Sequence, residues 1–108
     1  MVSENIETAS VEISRNSPRD IRMRDLYLTV DDQEEHVLLF GDSLDIPLKA
    51  GDHTIRVSNR VYSRKLDFRV EESESAKFVV GNIPSKGLFS IFMIMSGTVP
   101  YKVWIERR

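Results

Sequence analysis

Two histidines, His36 and His53, and an acidic run, Asp31, Asp32, Glu34 and Glu35, are the residues best suited by type to do chemistry in this chain. Imidazole titrates near neutrality, so either histidine has the means to move a proton or hold a metal. Neither has a second ligand at a metal-binding spacing in the sequence. His53 falls on the inward phase of an alternating segment and beside a turn, where a ring packs and still reaches water. His36 opens a short apolar segment. The acidic run is rich in oxygen, as calcium loops are. It lacks the D-x-[DN]-x-[DN]-G pattern and the glycine that makes the sharp turn, so the expectation is a solvated turn.

Other reaction classes find less support. There is no G-x-S-x-G nucleophile elbow and no G-x-x-x-x-G-K phosphate loop. The absence of cysteine excludes disulfides, thiolate zinc sites and a cysteine nucleophile. Arg56, Lys65, Arg69 and Lys77 take the outward phase of successive segments, where they would touch phosphate. Asp67 dilutes them, and no aromatics are interleaved as single-strand binding requires. With 15 basic against 17 acidic residues, the charge exerts no general pull on nucleic acid. The chain is therefore expected not to be an enzyme, and to have no catalytic residues, metal, cofactor or nucleic-acid partner.

The apolar run Leu88 to Met95, interrupted by Ser90, is out of proportion to the rest. It falls far short of the roughly 20 apolar residues of a membrane-spanning helix. Leu88, Ile91, Phe92 and Met95 have helical spacing, but Phe89, Met93 and Ile94 are apolar too, so period leaves helix and strand open. One reading is a short helix near 87–96 covering an open end of the fold. The other is a hairpin with the last strand, turned by Gly97-Thr98-Val99-Pro100. Phe89, Phe92, Met93, Met95 and Trp104 make the candidate interface. Trp104 takes the phase opposite to Tyr101, Val103 and Ile105: if those face the core it extends the interface, and if the phase is reversed it is core. The expected function is a non-catalytic interaction or scaffolding module that binds a protein partner or associates with itself through 88–95. Peripheral membrane contact through the same run, beside Arg107-Arg108, is the alternative. The run lacks the polar face of a membrane-surface helix, which favours protein. A small-ligand site near both histidines is a third reading.

The elements that must carry these residues read as strands. Apolar and polar residues alternate at Val11–Ile13, Leu26–Val30, Leu44–Leu48, His53–Val57, Leu66–Val70, Phe78–Val80 and Tyr101–Ile105, and Val37–Phe40 is a short apolar segment. Ile21 and Met23 have the opposite phase to Leu26, Leu28 and Val30, which calls for a bulge or bend near Arg24-Asp25. Pro47 favours an edge strand. Some eight short strands with turns every 8–12 residues make an all-β, immunoglobulin-like antiparallel sandwich. No linker divides the 108 residues, which read as one domain with a loose segment at 1–8.

Residues 26 to 80 carry a resemblance. A strand ends Val30-Asp31-Asp32; Ile46-Pro47-Leu48-Lys49-Ala50-Gly51-Asp52-His53-Thr54-Ile55-Arg56-Val57 follows, then Val61-Tyr62, Leu66 to Val70, and Ala76 to Val80. This resembles PEGA-type and related immunoglobulin-like modules of bacterial proteins. There a strand ends in an Asp-Gly turn, a proline-glycine-acidic-histidine turn opens the next strand, and a Gly-Tyr pair follows. Asp32 stands for the turn glycine, Ala50 for the proline and Val61 for the glycine before tyrosine. The resemblance implies a sandwich used for binding or spacing, without catalysis. The polar, acidic start MVSENIETAS argues against an uncleaved signal peptide. With the lack of cysteine it slightly favours the cytoplasm, though many exported bacterial proteins lack cysteine too.

Overall fold

The computed structural model describes residues 8–22, 24–84, 95 and 101–108. Among these residues the chain is all-β: β1 (Ala9–Ser14), β2 (Leu26–Val30), β3 (His36–Leu38), β4 (Ser43–Leu48), β5 (Gly51–Ser58), β6 (Ser63–Val70), β7 (Ser75–Pro84) and β8 (Tyr101–Arg107). Each strand follows from the period-2 pattern. In β1 the side chains of Ala9, Val11 and Ile13 are buried while Ser10, Glu12 and Ser14 face outward. β2 buries Leu26, Leu28 and Val30 in the same way.

Two four-stranded sheets result, one ordered β4-β1-β7-β8 and the other β3-β2-β5-β6. Their facing apolar side chains form one core, to which every strand contributes. Val11, Ile13, Leu28, Leu38, Ile55, Val57, Val70 and Val80 are all without solvent contact. Each such side chain is worth about 1.5–3 kcal/mol when fully buried. β1 lies between β4, antiparallel, and β7, parallel. β4 is an edge strand with ladder partners on one side, and so accommodates Pro47.

Two readings of phase are refined. The Ile21 N–H donates to the Asn82 carbonyl of β7 at 2.9 Å, whereas Leu26 begins β2 in the other sheet. The phase change between them is thus a crossing from one sheet to the other. β3 is shorter than the apolar segment suggested. Leu39 and Phe40 leave the ladder because Gly41 turns the chain at φ 94° and Asp42 accepts the Leu39 N–H on its Oδ2. The loose segment at 1–8 lies outside the described residues except for Thr8. So does the helix or hairpin at 87–100, except for Met95.

Candidate functional site

The sandwich has two ends of different chemistry. At one end the β2–β3 and β4–β5 turns place Asp31 and His53 together. Val30 to Gln33 forms a tight turn, closed by the Gln33 N–H donating to the Val30 carbonyl at 3.1 Å. Asp31 and Asp32 sit at φ 54° and 56°, the left-handed conformation that such a hairpin turn demands at both central positions. This aims the Asp31 carboxylate back at β5. Its Oδ1 accepts the Thr54 N–H at 2.8 Å, and its Oδ2 lies 2.5 Å from Nδ1 of His53.

The other ring nitrogen, Nε2, lies 2.7 Å from the Lys49 carbonyl. A carbonyl only accepts, so Nε2 carries a proton; a carboxylate facing Nδ1 calls for a second proton there. Burial of the ring opposes that charge. The bonds to Asp31 and Lys49 and the charges of Asp31 and Asp52 outweigh it, and the pKa is raised above the ordinary 6.5. Phe68 packs against the ring at 5.7 Å between centroids. Asp52, Thr54 and Asp67 complete the lining of an open cleft, with the Thr54 hydroxyl donating to Asp67 at 2.8 Å.

His36 does not share this site. It stands opposite Leu28, which stands opposite Val57, four residues along β5 from His53. Two strand spacings and four residues put the two backbones roughly 16 Å apart. The small-ligand reading that needed both rings in one cleft is therefore overturned. Among the described residues no three histidine or carboxylate side chains converge to hold a metal ion. The acidic run is divided by role: Asp31 clamps His53, and Glu35 pairs with Arg60 at 2.6 Å. The outward cations are divided as well. Arg56 faces Lys65 across β5 and β6, Arg69 pairs with Glu71 and Asp52, and Lys77 is on the other sheet.

At the opposite end a buried polar cluster joins the two sheets. Arg15 continues the inward phase of Val11 and Ile13 and is 1% exposed. Its Nε donates to Asp20 at 2.7 Å, its Nη1 to the Leu38 carbonyl at 2.8 Å and its Nη2 to the Arg24 carbonyl at 2.7 Å. Asp20 also accepts the Asn82 N–H at 3.0 Å, and the Asn59 amide donates to the Asn82 side chain at 2.9 Å. Asn59 Oδ1 in turn accepts the N–H groups of Val61 and Tyr62. Buried polar groups are tolerated when bonded in this way.

Trp104 lies beside this cluster. Val103 and Ile105 pack with the core, so Trp104 takes the outer face of its sheet. It is nevertheless buried, at 7% exposure. Opposite it stands Gly81, where an added Cβ would lie 3.0 Å from the indole Cζ2 and 3.1 Å from the Asp20 carboxyl carbon. The Arg19 guanidinium lies over the ring, 4.9 Å from its centroid. Among the described residues the indole Nε1 has no hydrogen-bond partner.

The 85–100 connection leaves and rejoins the fold at this end, through the Pro84–Tyr101 pair. Of the candidate interface, Phe89, Phe92 and Met93 lie outside the described residues. Met95 is 82% exposed. Arg107 and Arg108, placed beside the run by sequence order, stand at the other end, where Arg107 reaches Glu74 and Arg108 pairs with Glu106. The described cations at the end where the connection leaves include Arg19, Arg22, Arg24 and Lys102. Arg22 lies 3.7 Å over the Phe40 ring, Arg24 donates to the Asn59 carbonyl and Lys102 faces Ile83. Sequence order hid this grouping, because three of the four come from the β1–β2 loop.

Among the described residues no helix is long and apolar enough to cross a membrane. No protein-family model, curated protein or solved structure matches this chain.

Proposed function

We propose that this chain is a non-catalytic interaction module, an immunoglobulin-like sandwich of the PEGA-like kind, that docks through the end from which 85–100 leaves. The observation that carries the reading is Met95. This side chain of the apolar run is 82% exposed, while residues from all eight strands already fill the core. Contiguous apolar patches mark interaction sites, and Met95 is the described member of the apolar run 88–95. The immunoglobulin-like assignment draws support from the Asp31-Asp32 turn, at the place of the Asp-Gly turn, and from Gly51 at φ 134° opening the strand that carries His53. A non-catalytic role draws support from His53, whose two nitrogens are both engaged and leave no lone pair to take a proton.

The test is molar mass by light scattering together with a thermal melt, for the wild type and for Phe92→Asp. The reading expects the variant to melt within a few degrees of the wild type, because a docking surface contributes little to the core. A variant that unfolds would make the run core and overturn the reading.

A further inference from the structure

One side of the sandwich is guarded against an extra strand and the other is not. On the first side the sheets end in β3, which has three residues, and in β4, which carries Pro47. Short edges and proline both blunt strand pairing. On the second side, among the described residues, the sheets end in β6 and β8, of eight and seven residues and without proline. The ladders fix which backbone groups face outward there. The Asn59 N–H donates to the Tyr62 carbonyl, and β5 and β6 then exchange bonds at every second residue. The N–H and C=O of Ser63, Lys65 and Asp67 therefore point away from β5. The Arg108 N–H donates to the Lys77 carbonyl, so those of Val103 and Ile105 point away from β7.

We propose that a second copy of this chain docks on this side, pairing β6 with β6 and β8 with β8, antiparallel, about a single two-fold axis. The charges select the register. Exposed Lys65 and Asp67 flank Leu66 on β6. With Leu66 on the axis, each Lys65 faces Asp67 of the second copy. A shift of two residues either way sets lysine against lysine or aspartate against aspartate, which repel. Exposed Lys102 and Glu106 flank Trp104 on β8 in the same manner. With Trp104 on the axis, each Lys102 faces Glu106 of the second copy. Arg69 then faces Ser63 and Arg107 faces Tyr101, so no like charges are opposed. Neither lysine makes an ion pair among the described residues.

The two strands also agree on where the axis lies. Nη2 of Arg107 donates to the Arg69 carbonyl at 3.2 Å. Asn59, in the β5–β6 turn, donates to Asn82, which stands opposite Val103. β6 and β8 therefore run side by side in the same direction. Leu66 is three residues before Arg69 and Trp104 three before Arg107, which puts both at one level. Charge on an edge ordinarily keeps strands apart. Here the register that satisfies the outward backbone groups also pairs opposite signs on both edges. The result is an isologous dimer in which each four-stranded sheet continues into its copy. It uses a different surface from the apolar run and does not depend on it.

The experiment is sedimentation velocity of the full chain over a range of concentrations. The expected mass rises from one copy to two and stops there, because the two-fold contact closes on itself. Lys102→Glu should weaken association about tenfold, since two attractive pairs become repulsive. Adding Glu106→Lys to that variant should restore it, with the signs exchanged. Asp45→Lys, on the β4 edge, should leave it unchanged. The chain has no cysteine, so Leu66→Cys alone should give a disulfide-linked dimer on mild oxidation, and Arg64→Cys, two residues off the axis, should not. Thermal melts of the variants keep folding defects apart from association defects. A wild type that stays a single copy at its highest soluble concentration overturns the proposal. So does a dimer that Lys102→Glu leaves intact. If Phe92→Asp abolishes that dimer, docking through the apolar run stands and the edge pairing falls.

Discussion

Arg15 and Asp20 meet at 2.7 Å with side-chain exposures of 1% and 0%, and between them they tie the end of β1 to the β1–β2 loop, β3 and β7. Taking either charge away leaves the other buried without compensation. Arg15→Met is expected to cost about 3–5 kcal/mol. The double variant Arg15→Met/Asp20→Leu should recover part of that, because no charge is then left in the interior. Urea unfolding followed by circular dichroism, run as a double-mutant cycle, checks both. Equal destabilisation by the single and double variants would show that the bonds to backbone, and not the charge pair, hold this end.

The His53 clamp makes stability depend on pH. Its folded pKa is raised above 6.5, so the charged ring stabilises the fold fully below 6.5, and that contribution is lost as pH rises through the folded value. Melting temperature is expected to fall between pH 6 and pH 9 in the wild type, and to fall less in His53→Gln. Equal pH profiles would exclude His53 as the source.

A side chain at Gly81 would be crowded. A Cβ there would stand 3.0 Å from Trp104 and 3.1 Å from the Asp20 carboxyl carbon, neither able to yield easily. Gly81→Ala is expected to destabilise by about 1–3 kcal/mol. Tryptophan emission should shift to the red if the indole is the group that moves, which steady-state fluorescence would detect.

Asp32 holds a left-handed conformation at φ 56° without a hydrogen bond that rewards it among the described residues. Left-handed backbone is costly for any residue with a Cβ, though less so for aspartate, and glycine is free of that cost. Asp32→Gly is expected to stabilise by about 0.5–1 kcal/mol, seen as a rise in the urea midpoint. Asp31→Gly is expected to do the reverse, since it removes the acceptor of His53 and Thr54.

The strands were legible because half-buried strands write their faces into sequence with period two. Val11, Ile13, Leu26, Leu28, Val30, Ile55 and Val57 all point where alternation puts them. Pro47 also announced its edge. The polar cluster was hidden for a physical reason. Arg15 sits on an inward phase, which is a visible anomaly, yet its partners Asp20, Leu38 and Arg24 are brought to it by the crossing loop and by another strand. Gly81 opposite Trp104 was a second signal, since glycine within a strand marks close approach. Phase left Trp104 either on the outer face or in the core, and phase alone does not say that a loop with Arg19 will cover that outer face. The division of His36 from His53 depends on register across three strands, which no spacing along the chain encodes.

The placement of β1 has a consequence for how the molecule is built. Strands β2, β3, β5 and β6 pair within residues 26–70. β1, made early, must wait for β7, whose paired residues come roughly 65 positions later, from Ser10 to Ser75. At a synthesis rate of about 5–20 residues per second, that is a delay of several seconds. Such non-local pairing is also slow from the unfolded state. β1 can pair with β4 meanwhile, but its β7 edge stays open, ready to accept the wrong strand, until β7 has been made.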